Sequence, residues 1–186
     1  MGLVYRLRSA RCQRQAEDVN CNSKDLTQME YQLEKLIWNE QDFSQMGWHD
    51  CRIYAITTTQ HFELILDIDY IFKCVLEEPY YKFWVSPCTL IFENVLNINF
   101  KSSFHNSQLE IDSIIKRTCR NPANVETVNK KQWNYVIELH NGSISFQSVG
   151  YTQFVRSLPI LSTTQSLGLE MRNGISFATN CFTKCS

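Results

Sequence analysis

Residues 61–72 keep a period of two, with Phe62, Leu64, Leu66, Ile68, Tyr70 and Phe72 on one side of an extended backbone. Glu63, Ile65, Asp67, Asp69 and Ile71 fall on the other side. Successive side chains of a strand point to opposite faces, whereas a helix repeats every ~3.6 residues, so a helix cannot bury this apolar set together. The run predicts a long, half-buried strand with Asp67 and Asp69 on its wet face.

The same period recurs elsewhere. Residues 51–59 make the first clear strand, and residues 82–86 and 89–100 make two more after a break at Glu77-Glu78-Pro79. Pro87 has no backbone N–H to give to a ladder, so it is expected at an edge or a bulge between those two strands. Residues 133–148 read as a hairpin around an Asn141-Gly142 turn. That turn sets Leu139 against Ile144 and Ile137 against Phe146, with Glu138 and His140 against Ser145 and Ser143, apolar on apolar and polar on polar. Residues 109–117 fit a strand and a helical turn equally, and residues 151–155 and 175–177 read as further strands.

Ahead of this, Met29, Leu33, Leu36 and Ile37 recur at helical spacing. They predict a short amphipathic helix over residues 27–38, with Thr27 as N-cap and Glu30 completing a capping box. Residues 1–26 carry Arg6, Arg8, Arg11 and Arg14 in a polar, aperiodic stretch, which reads as a flexible basic arm. Strands joined by short turns without regular helices between them favour an antiparallel sheet, a sandwich or an open barrel. The expected fold is therefore a β-rich α+β domain over residues 27–186 with one short N-terminal helix.

With 18 basic and 19 acidic residues the chain has a formal net charge of −1, so no global field draws nucleic acid or an anionic membrane. No apolar run approaches the ~18 residues of a membrane helix, and no apolar signal segment opens the chain. None of the eight cysteines forms a C-x-x-C pair, and Cys51, Cys74 and Cys88 sit inside apolar runs. That is the distribution of reduced, buried thiols, and it predicts a cytoplasmic location.

Candidate sites are few. Trp48-His49-Asp50 stands where a loop enters the first strand, a place that holds side chains firmly. His49 and Asp50 are adjacent, so on an extended backbone they point apart and cannot pair with each other. One reading makes His49 a base or metal ligand with Asp67 and Asp69; the plainer and weightier one makes His49 and Asp50 structural pins. Glu77, Glu78, Tyr80, Tyr81 and Trp84 add acidic and aromatic candidates for an interface. Phosphate-loop, nucleophile-elbow and zinc-protease signatures do not occur, and Cys181-x-x-x-Cys185 lacks the spacing of a zinc knuckle. No catalytic residue, metal or cofactor is assigned.

Gly47-Trp48-His49-Asp50, the 62–72 strand, Lys82-Phe83-Trp84-Val85-Ser86-Pro87, Gln132-Trp133 and the Asn141-Gly142 hairpin resemble a group of small bacterial β-rich proteins. That group is similar to the immunity proteins of polymorphic toxin systems, and the resemblance runs from residue 38 to residue 177, leaving residues 1–26 outside. It implies a protein without catalysis that acts by tight binding to a protein partner, a toxin in that case, with His49 and Asp50 as a structural or interface signature. The leading expectation is a binding protein that uses an acidic and aromatic sheet face. A His49 hydrolase with Asp67 or Asp69, and an oligomerisation module with exposed strand edges, are the alternatives.

Overall fold

Alternating apolar residues become ten strands in the computed structural model, which describes residues 31–102, 108–121 and 130–182. They are β1 (Ile37–Asn39), β2 (Arg52–Thr58), β3 (Leu64–Glu77), β4 (Tyr80–Glu93), β5 (Leu96–Ser102), β6 (Leu109–Arg120), β7 (Gln132–Leu139), β8 (Gly142–Ser148), β9 (Gly150–Val155) and β10 (Ile160–Ser162). All pairings are antiparallel, in the order β1-β9-β4-β3-β2-β6-β7-β8-β5, with β10 added on β4.

As a ladder this large sheet is open, yet its two ends are tied by the chain itself. β4 runs through Asn94 and Val95 into β5, β8 runs through Val149 into β9, and β4 pairs with β9 while β5 pairs with β8. The sheet therefore curls, and its concave side fills with Leu64, Leu66, Ile68, Leu90, Phe92, Ile111, Tyr135, Ile137, Ile144, Phe146 and Tyr151. Aromatic rings meet at the centre, Phe92 edge-on to Phe146 at 4.7 Å and Tyr135 stacked on Phe146 at 5.8 Å. At the bend, Gly150 has φ +155° and passes so close to Glu40 that a Cβ would lie 3.4 Å from it.

The expected N-terminal helix is not there. The described part of residues 27–38 is irregular up to Ile37, where β1 begins, and the one helical turn is a 3-10 helix at Glu40–Asp42. Thr27, its proposed N-cap, lies outside the described residues, as does the arm at 1–26. β1 pairs with β9 and sends Trp38 into the core, so a strand partner outweighs a local helical spacing of a few residues. The 3-10 turn has its own capping box: Asn39 accepts from Gln41 N–H and Asp42 accepts from Asn39 N–H.

Several strand readings are settled or change, and the single strand expected over residues 89–100 is split at Asn94 and Val95 between β4 and β5. β6 takes the strand alternative along its whole length, and residues 175–177 form no strand. Pro87 lies inside a continuous β4, opposite Asp69, where the neighbour on its other side changes from β10 to β9. The β7–β8 hairpin keeps its faces but slides by two residues: Ile137 meets Ile144, Tyr135 meets Phe146, and Leu139 meets Gly142. A shift of two preserves which side chains point inward, so the apolar pattern cannot distinguish the two registers. The turn is then His140-Asn141.

The largest departure is on β3. Every residue from Leu64 to Tyr70 is buried, including the Asp67 and Asp69 expected in water. Residues 156–182, nearly devoid of regular structure, cross the convex side of β3 and β4 and set Arg156, Leu167, Arg172, Ser176 and Ala178 against it. Cys74 on β3 is disulfide-bonded, which corrects the expectation of reduced thiols throughout, and its partner is not among the described side chains. Cys51, Cys88 and Cys181 form no disulfide. Among the described residues no helix is long and apolar enough to cross a membrane.

Candidate functional site

Two groups of ionisable side chains lie at either end of the same question, one sealed and one open. The sealed group forms because β3 carries Asp67 and Asp69 on its convex face and the C-terminal segment lays two arginines over them. Arg172 gives two bonds to Asp67, Nη1 to Oδ2 at 2.9 Å and Nη2 to Oδ1 at 2.5 Å, and one from Nε to Asp69 Oδ1 at 3.1 Å. Arg156 bonds the same Asp67 and the Ser176 carbonyl. Backbone N–H groups of Ser176 (2.9 Å) and Leu167 (2.6 Å) complete Asp67 and Asp69 respectively.

Two carboxylates and two guanidiniums balance in charge, and all four side chains are nearly or fully out of water. Such a cluster tolerates burial because nearly all its lone pairs and protons are matched, with Arg156 Nε the buried N–H left without a partner. Burial draws the Arg172 guanidinium down, but its bonds to Asp67 and the charges of both aspartates outweigh that and hold it above its ordinary range. Tyr54 closes the cluster: its ring stacks 3.7 Å from the Arg172 guanidinium and its hydroxyl lies against Asp69 and the Leu167 carbonyl. Burial first, then the Asp69 charge, pushes the phenol up to about 12.

The open group sits where the loop before β2, the start of β6 and the β7–β8 turn converge. Asp50 has φ +61°, and its N–H reaches the Ile111 carbonyl at 2.8 Å. This left-handed step cancels the strand alternation assumed for residues 49 and 50, so the expectation that they cannot face each other fails. His49 Nε2 stands 3.5 Å from Asp50 Oδ2, and His140 Nε2 stands 3.4 Å from Asp50 Oδ1. The other ring nitrogens are engaged too: His49 Nδ1 with the Asp112 carbonyl at 2.8 Å, His140 Nδ1 with Glu110 Oε2 at 3.1 Å. Gln165 donates to Asp50 Oδ2 at 2.7 Å. All these side chains are half-buried except Asp112, which is more open.

His140, Glu110 and Asp112 were not singled out in the sequence. His140 was assigned to a strand position rather than a turn, so nothing in the linear pattern brought it near Asp50. The proposed union of His49 with Asp67 or Asp69 is not assembled, since His49 contacts Asp50 and Asp112 while both strand aspartates face arginines. Among the described residues, no group of three or more His, Cys, Asp or Glu side chains is arranged to hold a metal.

The remaining interface candidates divide by depth. Trp84 is buried beside Tyr31, ring centroids 5.4 Å apart, and is no surface anchor. Glu77 is paired with Lys82, and Tyr81 is half-buried. Glu78 and Tyr80 stand in solvent at the β3–β4 tip. A third polar group, also unseen in the sequence, pins the 3-10 turn to the core: Tyr135 donates to Glu40 Oε2 at 2.5 Å, and Lys116 pairs with Glu40 while lying 4.3 Å over the Trp133 ring. Burial, then Glu40, pushes the Tyr135 phenol far up.

No protein-family model matches the chain, no curated protein matches it, and no solved structure matches it.

Proposed function

We propose that the protein is a non-enzymatic binding protein that engages another protein through the tip of the β3–β4 hairpin. The observation that carries this reading is Tyr80, 76% exposed at the end of a ladder that stays paired to Glu77 and Tyr80 themselves. Leu76, 44% exposed, and Glu78 stand beside it. A tyrosine on an ordered tip offers a large contact area at little entropic cost, the kind of residue that anchors protein interfaces. The tip takes this role in place of the acidic face of β3, whose Asp67 and Asp69 are sealed beneath residues 156–182.

Toxin neutralisation is the finer form of the proposal and rests on the sequence resemblance to immunity proteins. Affinity capture with the intact chain, followed by binding measurements on the purified partner, tests the reading. Tyr80→Ala and Glu78→Lys are expected to weaken binding at least ~30-fold and to leave the fold unchanged, since hot-spot truncations cost ~2 kcal/mol or more. Equal binding by wild type and Y80A would sink it, and a partner that proves to be a second copy of the chain would move it to the oligomerisation reading. A cytoplasmic location belongs to the same proposal, and the Cys74 disulfide weighs against it because thiols stay reduced there. Thiol alkylation at lysis decides: a protected Cys74 places the protein in an oxidising compartment.

A further inference from the structure

The open corner contains two protons too few for its contacts, one at each imidazole. The Asp112 carbonyl can only accept, so His49 Nδ1 at 2.8 Å carries the hydrogen of the neutral ring. His49 Nε2 then presents a lone pair to the Asp50 carboxylate oxygen 3.5 Å away. His140 lies between two carboxylates, Glu110 at 3.1 Å from Nδ1 and Asp50 at 3.4 Å from Nε2. Whichever of its nitrogens holds the single hydrogen of the neutral ring, the other faces an acceptor-only oxygen. Charge-assisted N–H···O bonds are ordinarily ~2.7–2.9 Å, and the two contacts to Asp50 are longer, at 3.5 and 3.4 Å.

The corner also lies across the weakest joint of the sheet. β2 meets β6 through two residue pairs, Arg52 with Glu110 and Ile53 with Leu109, whereas β3 and β4 pair along nearly their full length. His49 and Asp50 stand on the β2 side, Glu110 and Asp112 on β6, His140 on the β7–β8 turn, and Gln165 on the C-terminal segment. Arg52, opposite Glu110 in the ladder, is the one basic residue paired into the joint.

We propose that His49, Asp50 and His140 form a proton-operated clasp across the β2–β6 joint. A proton taken from solvent by His49 arrives at Nε2 and donates to Asp50, while one taken by His140 leaves both ring nitrogens donating, Nδ1 to Glu110 on β6 and Nε2 to Asp50 on the β2 side, so that the His140 ring bridges the joint. The joint tightens as protons are supplied and loosens as they are withdrawn. The clasp rests on the corner's own geometry and stands apart from any partner at the hairpin tip.

Amide hydrogen exchange reads it directly, through the N–H groups of Asp50 and Ile111, which bond across the joint to the Ile111 and Cys51 carbonyls. After correction for intrinsic exchange, their protection is expected to rise at least ~threefold from about pH 8 to about pH 6, with Leu66 in the β3–β4 ladder unchanged. Asp50→Asn is expected to abolish the rise, and His61→Gln, outside the corner, to keep it. Should D50N fail to fold, His140→Gln serves the same purpose. Imidazole nitrogen shifts in the wild type are expected to show the second proton of His49 arriving at Nε2. Protection that ignores pH, a parallel rise at Leu66, a rise that survives D50N or H140Q, or a neutral His49 protonated at Nε2 overturns the proposal.

Discussion

Asp67 and Asp69 on β3 and Asp50 at the mouth of β2 are carboxylates of one sheet, and the tertiary structure uses them in opposite ways. The β3 pair is fully buried and bonded to two arginines that approach from residues 156 and 172. Asp50 keeps contact with water, and the two imidazoles facing it hold long distances that a proton would shorten. The oxygens of the buried pair are bonded to arginine and backbone N–H groups, so it serves the fold. The half-buried Asp50 faces two long imidazole contacts, so its contacts can respond to solution conditions.

The contrast sets the scale of expected effects. Removing one partner from the sealed cluster leaves an uncompensated charge in a dry place, so Asp67→Ala or Arg172→Ala is expected to lower the unfolding free energy by about 3–5 kcal/mol in a urea titration. A loss under ~1 kcal/mol would mean that water reaches the cluster and that the distinction between the two regions is false. Next comes Tyr135→Phe, which takes a hydrogen bond from the charged Glu40 and is expected to cost about 1.5–3 kcal/mol by the same titration.

The alkaline limb sharpens the comparison further. The Tyr54 phenol is pushed up to about 12 in the fold, so above the ordinary tyrosine value of about 10 the unfolded chain loses its proton first. Stability contributed by the neutral phenol is therefore present below ~10 and lost as pH climbs toward ~12. Tyr54→Phe is expected to flatten that decline in melts taken between pH ~9 and ~12, and an unchanged slope would detach Tyr54 from Asp69. The smallest effect belongs to the corner: Asp50→Asn at neutral pH is expected to change stability by ~1 kcal/mol or less, as half-exposed ion pairs do.

Much of the sheet was legible in local pattern. Period-two alternation marks β2, β3, β7, β8 and β9, and the inward set of β3, from Leu64 to Phe72, is buried as its pattern requires. The helix expected near residue 33 failed because a few apolar spacings weigh less than the pairing of β1 on β9. The hairpin register failed by an even step for the reason that an even step leaves every side chain on its face.

The sites were far less legible, and the reason is distance along the chain. Asp69 meets Arg172 across 103 residues, and His140 reaches an Asp50 that lies ninety positions before it. Neither Arg172, inside Met171-Arg172-Asn173-Gly174, nor His140, before Asn141-Gly142, carries a local sign of what it will touch.

The chain's own order of apolar and polar residues determined that there would be strands and which side chains of β3 would enter the core. Only the tertiary structure decided that the opposite face of β3 is dry as well, and that His49 and Asp50 can face each other. Alternation records one face against the other within a strand, whereas a segment folding over from a hundred residues away leaves no period to read.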